Sequence, residues 1–264
     1  MIRLCTVLFA LLLPHLALAD VLRVAVTTSF ENSGLADILT PKIEADLNLD
    51  LQLLVVGTGQ AIRLGEAGDV DAILVHSRSA EDAFVASGNG THRREIMYND
   101  FVIIGPKDDP ANLTDAPDVS TAMQRLRDAP FVSRGDDSGT HKAELALWQD
   151  AGIDANALPP TYREVGAGMG TALNIAAGMN AYILADRASW LNFQNKSDLA
   201  LLFQGDAALF NQYAYLPVNP DRHASVRHDL ALKLEEWLVS PKAKGAINGY
   251  TIAGQPLFVF NATD

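Results

Sequence analysis

Two kinds of chemistry are written into the segment Ser133 to Trp148, SRGDDSGTHKAELALW. Ser138 and His141 stand three residues apart, close enough on a helix for a hydroxyl and an imidazole to approach, with Asp136 and Asp137 just ahead of them. A nucleophile with its base has those residue types. So does the rim of an anion site. Ser138-Gly139-Thr140 opens a helix, where free backbone N–H groups and the positive end of the helix dipole attract negative charge. Arg134, four residues before Ser138, can fold over the loop and offer a planar fork of donors to an oxyanion, or pair with Asp136 or Asp137.

The two chemistries make different demands. A nucleophilic serine needs a base oriented by a third group and a separate oxyanion hole. Gly139 and Thr140 would have to supply that hole while starting the helix, and no G-x-S-x-G elbow occurs anywhere in the chain. The anion chemistry has company. Thr27-Thr28-Ser29 and Gly57-Thr58-Gly59 also bring small hydroxyls to a strand-to-helix loop, and Gly166 to Thr171 is a fourth, glycine-rich loop. Each hydroxyl loop taken alone is equally an ordinary N-cap. Three at successive strand ends, with an arginine, favour a shared oxyanion site over a hydrolase, and the chain is expected not to be an enzyme. His141 reads as a first-turn residue that packs or donates a hydrogen bond. His76, His92, His223 and His228 are too scattered for a metal site, so neither metal nor cofactor is expected.

The loops need elements to hold them. VLRVAV (Val21–Val26), LDLQLLVV (Leu49–Val56) and AILVH (Ala72–His76) are short apolar runs. Gly34–Asp46 and Gln60–Glu66 separate them and carry helical patterns, the first with Leu35, Ile38, Leu39 and Ile43 on one face and Pro41 as a kink. Strand, loop and helix repeated with short connections signify a parallel, doubly wound sheet, whose ligands sit beyond the carboxyl ends of the strands. FVIIG then Pro-Lys-Asp-Asp-Pro suggests a boundary near Phe101–Pro110, after which the same grammar recurs with helices at His141–Gln149 and Thr171–Ala177 and a strand at AYILA. An extended segment at Tyr213–Val218 precedes an amphipathic helix, Ser225–Leu238, and a second helical stretch, Pro241–Tyr250. The pattern predicts an α/β protein of two lobes, with residues 20–107 and 217–264 in the first and 108–216 in the second.

The ends and the charge narrow the setting. MIRLCTVLFALLLPHLALAD has a basic residue, an apolar run and an Ala-Leu-Ala cleavage signal, so residues 1–19 read as a secretory signal peptide. The run is too short for a bilayer core of about 30 Å, which needs about 20 apolar residues. Cleavage removes Cys5, the chain's one cysteine, so the mature protein is expected to have no thiol or disulfide chemistry and to be free and soluble in a bacterial periplasm. A formal charge of −12 argues against nucleic acid and anionic membranes as partners. It does not argue against a small anion, because a closed site is governed by local donors while distant surface charge is screened over about 8–10 Å.

Long stretches resemble one family. TTSFENSGL (Thr27–Leu35), VVGTGQAIRLGEAGDVDAILVH (Val55–His76), RREIMYNDFVIIGPKDDPA (Arg93–Ala111), SRGDDSGTHKAELALW and AGMGTALNIA (Ala167–Ala176) are similar to the tungstate-binding proteins of bacterial ABC importers, over nearly the whole mature chain. The resemblance implies a two-lobed periplasmic binding protein of type II, each lobe a mixed or parallel sheet flanked by helices and hinged by two extended crossovers. It implies tungstate, with molybdate as the near alternative, as the ligand. It implies an inner-membrane permease and its ATPase as partners, and the chain is expected to be a monomer. The family's TTTS loop corresponds to Val26-Thr27-Thr28-Ser29, with valine in place of the first threonine. The family's other contacts correspond to Thr58 in GTGQA and to Arg134, Ser138, Gly139 and Thr140. The expected oxyanion site is therefore Thr28, Ser29 and Thr58 from one lobe facing Arg134, Ser138, Gly139 and Thr140 from the other.

The Arg-x-x-x-Ser-Gly-Thr spacing is shared with phosphate-binding proteins of the same broad fold, so the motif alone specifies an oxyanion. Selectivity has a chemical handle in Asp136 and Asp137. Tungstate, molybdate and sulfate are full dianions near neutral pH and need only donors. Hydrogen phosphate carries a proton and needs one acceptor as well. An aspartate pointing into the cleft makes phosphate credible.

Overall fold

The computed structural model describes residues 20–263; the expected signal peptide lies outside them. The chain begins with β1 (Asp20–Thr27), α1 (Thr28–Asn32), α2 (Leu35–Leu47), β2 (Leu49–Val56), α3 (Thr58–Ala67), β3 (Ala72–Val75) and α4 (Arg78–Ala86). β1 runs parallel to both β2 and β3, with Thr27 level with Val56 and Val26 level with Leu74. Every residue of β3 is buried, as expected for a strand covered by helices on both faces. The helix predicted over Gly34–Asp46 is α2, which runs through Pro41 with Leu35, Leu39 and Ile43 in the core. Ile38 departs from its expected face and is 39% exposed.

The next element breaks the parallel pattern. β4 (Arg94–Pro106) is antiparallel to everything it touches. It leads to α5 (Val119–Leu126), β5 (Phe131–Ser133), α6 (Gly139–Asp150), β6 (Tyr162–Glu164), α7 (Met169–Met179), β7 (Tyr182–Asp186), α8 (Arg187–Asn192) and β8 (Leu199–Phe203). Here β5 lies parallel to β6 and β7, the same grammar as in the first half. The chain returns through β9 (Phe210–Pro217) and then forms α9 (His228–Leu238) and α10 (Pro241–Asn248). It ends with the short strands β10 (Thr251–Ile252), β11 (Gln255–Pro256) and β12 (Val259–Phe260). The helix expected from Ser225 begins later, at His228.

One ten-stranded sheet therefore carries both halves, its main path running β2-β1-β3-β9-β4-β7-β5-β6. β4 and β9 are the crossovers. Along β4, residues up to Asp100 pair with β9 and residues from Phe101 pair with β7 and β8. The change of partner thus falls at Asp100/Phe101, ahead of the boundary placed from sequence after residue 107. Likewise all of β9 from Phe210 pairs within the first half, though residues 210–216 were assigned from sequence to the second. The mixed character has a simple cause, since a strand that leaves one half and enters the other must run against the direction of the strands it joins.

Each half has apolar clusters on both faces of its sheet. In the first, Leu22, Leu35 and Tyr215 pack with Leu230, Leu234, Trp237 and Ile247, so α9 and α10 do return to it. Ala61, Ile73, Phe84 and Leu216 fill the opposite face. In the second, Phe131, Trp148 and Tyr182 lie on one face, Val132, Leu173 and Trp190 on the other. A fully buried side chain of this size contributes roughly 1.5–3 kcal/mol, and such layers fix the strand ends in place. No helix among the described residues is long and apolar enough to cross a membrane.

Candidate functional site

The strand registers bring the loops together. In the first half the carboxyl ends of β1, β2 and β3 finish level, at Thr27, Val56 and Val75. Val75 pairs with Ala214 of β9, and β9 continues toward its own start, where Asn211 pairs with Asn99 and Phe210 with Asp100. In the second half the carboxyl ends of β5, β6 and β7 finish at Ser133, Glu164 and Asp186, and Asp186 pairs with Phe101. Both sets of carboxyl ends thus face the same crossing point. The helices that follow them, α1 and α3 on one side, α6 and α7 on the other, start at a common cleft. Its lining includes His76 and Ser77 from the first half, Gly139 and Lys142 from the second, and Asn211 from the crossover.

Around Ser29 the first-half wall is neutral and interlocked, and the charged residue this half gives to the lining, Arg78, is paired with Asp82 and Glu95. Thr27, not Thr28, caps α1: its Oγ1 accepts from Phe30 N at 3.3 Å. Thr28 is exposed at the first helical position and Ser29 is half-buried. Ser29 Oγ lies 3.0 Å from Thr27 Oγ1, 2.9 Å from His76 Nε2 and 3.1 Å from Tyr213 Oη. Burial lowers the His76 imidazolium to about 4, so the ring is neutral, and burial likewise holds the Tyr213 phenol above its ordinary value. Thr58 is buried at the first position of α3, whose cap, Gly57, has no side chain to occupy the helix N–H groups. Val26 faces the core and is fully buried, so the valine in the family's first threonine position removes no hydroxyl from the cleft.

The second-half wall carries charge. Ser138 caps α6, its Oγ accepting from His141 N at 3.3 Å, which leaves the N–H groups of Gly139 and Thr140 without an intrahelical acceptor. Thr140 is buried. Arg134 is only 14% exposed. Its Nη2 donates to Asp136 Oδ2, while its buried Nε has no partner. Asp136 Oδ1 accepts from Ser138 N at 3.3 Å. Burial raises the Asp136 carboxyl, but bonding from Ser138 and the Arg134 charge outweigh it and hold the group below the ordinary carboxylate range. Asp137 points away, 88% exposed and 3.4 Å from Lys142. The loop turns on two left-handed residues, Gly135 at φ 58° and Asp137 at φ 57°. Behind it α7 starts at Gly168 with no side-chain cap.

The hydrolase geometry is missing. Ser138 Oγ meets the backbone of His141, and the His141 ring instead accepts from Asp137 N through Nδ1 at 3.2 Å. His141 is thus a packed first-turn residue, one of the two roles expected of it, and its ring accepts a hydrogen bond instead of donating one. Of the seven residues expected at the site, Gly139 lines this cleft; Thr28, Ser29 and Thr58 lie in the first turns of α1 and α3, and Arg134, Ser138 and Thr140 lie in the loop and first turn leading into α6. Sequence reasoning counted Thr27 in a hydroxyl loop without giving it a role, and overlooked His76, Tyr213 and the buried Asn211–Asn99 pair, bonded at 2.8 Å. His76 had a usable signal, since it ends the third parallel strand and so obeys the same strand-end rule as the hydroxyl loops. Among the described residues no group of three or more His, Cys, Asp or Glu could hold a metal ion.

Comparison with known proteins adds the following. A family model described as a PBP superfamily domain matches residues 17–242. The tungstate-binding protein TupA of Peptoclostridium acidaminophilum is 43% identical over 90% of this chain and 85% of its own. The solved structure of the tungstate-binding protein TupA from Desulfovibrio alaskensis G20 superposes with a TM-score of 0.87 at 41% identity, covering 93% of this chain and 100% of that one. A structure described as the tungstate ABC transporter from Geobacter sulfurreducens gives a TM-score of 0.78 at 45% identity over 88% of this chain and 99% of that one.

Proposed function

Because the chain belongs to the tungstate-binding-protein family of the PBP superfamily, we propose that it captures tungstate between its two halves and delivers it to an importer. The observation that supports this is the convergence of the carboxyl strand ends of both halves on one cleft, lined by His76 and Ser77 from the first and Gly139 and Lys142 from the second. Thr28, Ser29 and Thr58 supply neutral donors from the first lobe. Arg134, with Ser138, Gly139 and Thr140, supplies the charge and the helix N–H groups from the second. Bonds to a charged group contribute roughly 1.5–3 kcal/mol each, so a handful match the roughly 12 kcal/mol of a nanomolar complex before association costs are subtracted. No metal or cofactor is needed for such binding. Because both lobes contribute, the anion favours the closed form, and a permease with its ATPase in the inner membrane would read that closure. The lobes would pivot where β4 and β9 cross, near Asn99–Phe101 and Phe210–Asn211.

Asp136 favours a second ligand. Its carboxylate lies within the donor set, bonded to Arg134 and Ser138, and offers the acceptor that hydrogen phosphate needs. Isothermal titration with tungstate, molybdate, sulfate and phosphate in turn separates these outcomes. Sub-micromolar affinity for tungstate is expected, with molybdate nearest to it. Tight phosphate binding with none for tungstate would replace the assignment.

A further inference from the structure

We propose that His76 couples the two walls of the anion site: it positions the Ser29 hydroxyl in the first lobe and seats Gly139 of the second lobe against its ring. This rests on the oxyanion site proposed above and adds to it a residue that does not itself need to touch the anion.

The first part follows from hydrogen-bond accounting. Ser29 has one proton, two lone pairs and three polar neighbours, Thr27 Oγ1, His76 Nε2 and Tyr213 Oη. His76 Nδ1 is buried without a partner. A buried N–H without an acceptor is rarer than a buried acceptor without a donor, so the ring proton belongs on Nε2. His76 Nε2–H and Tyr213 O–H can then both donate into Ser29, filling its lone pairs. Its own proton is left to point at an acceptor, either Thr27 Oγ1 or an oxyanion in the cleft. An imidazole protonated the other way would take the Ser29 proton and remove it from the site.

The second part follows from packing. A Cβ built on Gly139 would lie 2.4 Å from His76 Cε1. The φ of Gly139 is not in the left-handed region, so no backbone demand explains a glycine there, and the approach of the imidazole does. The ring is also packed against Tyr213, with centroids 4.8 Å apart, which limits how far it can shift. Gly139 is also the first residue of α6 and presents one of the two free N–H groups to the cleft. The same imidazole therefore sets a hydroxyl on one wall and the closest approach of an amide on the other. Its shape and its proton both bear on how well the closed site fits an anion.

A double-mutant cycle tests this, read by titration with tungstate and by the decrease in radius of gyration that tungstate causes in X-ray scattering. Gly139→Ala is expected to weaken binding about tenfold or more and to blunt the compaction, and the same change in a His76→Ala background to cost less than about threefold. Equal costs in the two backgrounds would overturn the coupling. For the hydroxyl, His76→Gln, whose amide can still donate to Ser29, is expected to stay within about threefold of wild type, and His76→Leu, which cannot, to lose about tenfold. Wild-type affinity in His76→Leu would overturn that part. The wild-type titration judges the choice of ligand by itself. If another of the four anions binds in place of tungstate, the cycle is run with that anion and still judges His76.

Discussion

The two walls of the cleft solve the same problem with opposite materials. Around Ser29 the first-half wall is neutral: Thr27, Ser29, His76 and Tyr213 hold one another through bonds of 2.9–3.1 Å, and the histidine is kept uncharged by burial. The second-half wall is charged: Arg134 and Asp136 form a mostly buried ion pair on a loop bent through two left-handed residues, with one arginine donor left over. A neutral network is rigid but attracts a dianion weakly at a distance. A charged loop attracts strongly, and it needs an internal counter-ion when no ligand is present. On the function proposed above, the difference divides the labour: the second lobe would draw the anion in and the first would supply fixed donors as the lobes close.

The largest perturbation of this contrast is Arg134→Glu. It removes the leftover donor and puts a second carboxylate beside Asp136, so tungstate affinity should fall by more than about a hundredfold while circular dichroism stays unchanged. Retained affinity would remove Arg134 from the site.

Stability against pH distinguishes the walls next. Behind the charged loop, Glu144 is buried, accepting from Tyr162 Oη at 2.8 Å and Trp148 Nε1 at 3.2 Å, and burial raises its carboxyl to about 7. Its folded value exceeds the ordinary 4.5, so between those values the native state binds more protons than the unfolded chain and stability falls as pH rises. His76 has the opposite sign. Its lowered value means that stability is lost as pH falls from about 6.5 toward 4. Glu144→Gln should gain on wild type by about 2–3 kcal/mol between pH 4.5 and 8 in denaturant titrations. A difference independent of pH would show that Glu144 does not change charge over this range.

Ser29→Ala removes one neutral donor and unsettles its three partners, and a loss of about tenfold in tungstate affinity is expected by titration. No loss would shift the first wall's contribution to Thr28, Thr58 and the backbone. The smallest effect expected is that of Asp136→Asn. It frees Arg134 from its counter-ion and removes an acceptor, so tungstate should bind about threefold more tightly while any phosphate binding weakens. Movement of both anions in the same direction would show that Asp136 acts on the loop as a whole, not on the proton.

Much of this was legible in the chain, and the omissions share a cause. Strand ends, helix starts and the Arg134–Thr140 loop are local features, fixed by periodicity and by cap residues within a few positions. The Ser29–Tyr213 contact spans 184 residues, and no short-range pattern encodes it. His76 was visible as the end of a strand and passed over because histidines were weighed as a group of metal ligands. The expected Ile38 face failed because a helix packed against a sheet and a second helix pair buries a narrower stripe than the apolar residues available. The Arg134–Asp136 pair had been weighed against an anion-facing arginine. The structure shows the pair, formed through Nη2, and leaves the buried Nε without a partner.

The return of α9 and α10 to the first lobe bears on the order of assembly. The second lobe is one unbroken stretch, Phe101 to Leu209, and can complete both faces of its sheet from local chain. The first lobe cannot. Leu22, Val24 and Leu39 share a cluster with Leu230, Trp237, Ile247 and Phe258, from which the whole second lobe separates them in sequence. Contacts across so much sequence form slowly because the loop must close before they stabilise anything. The amino-terminal segment therefore remains without a finished core until that later stretch has joined it. The first lobe is in this sense the late partner in folding, and the second can form without waiting for it.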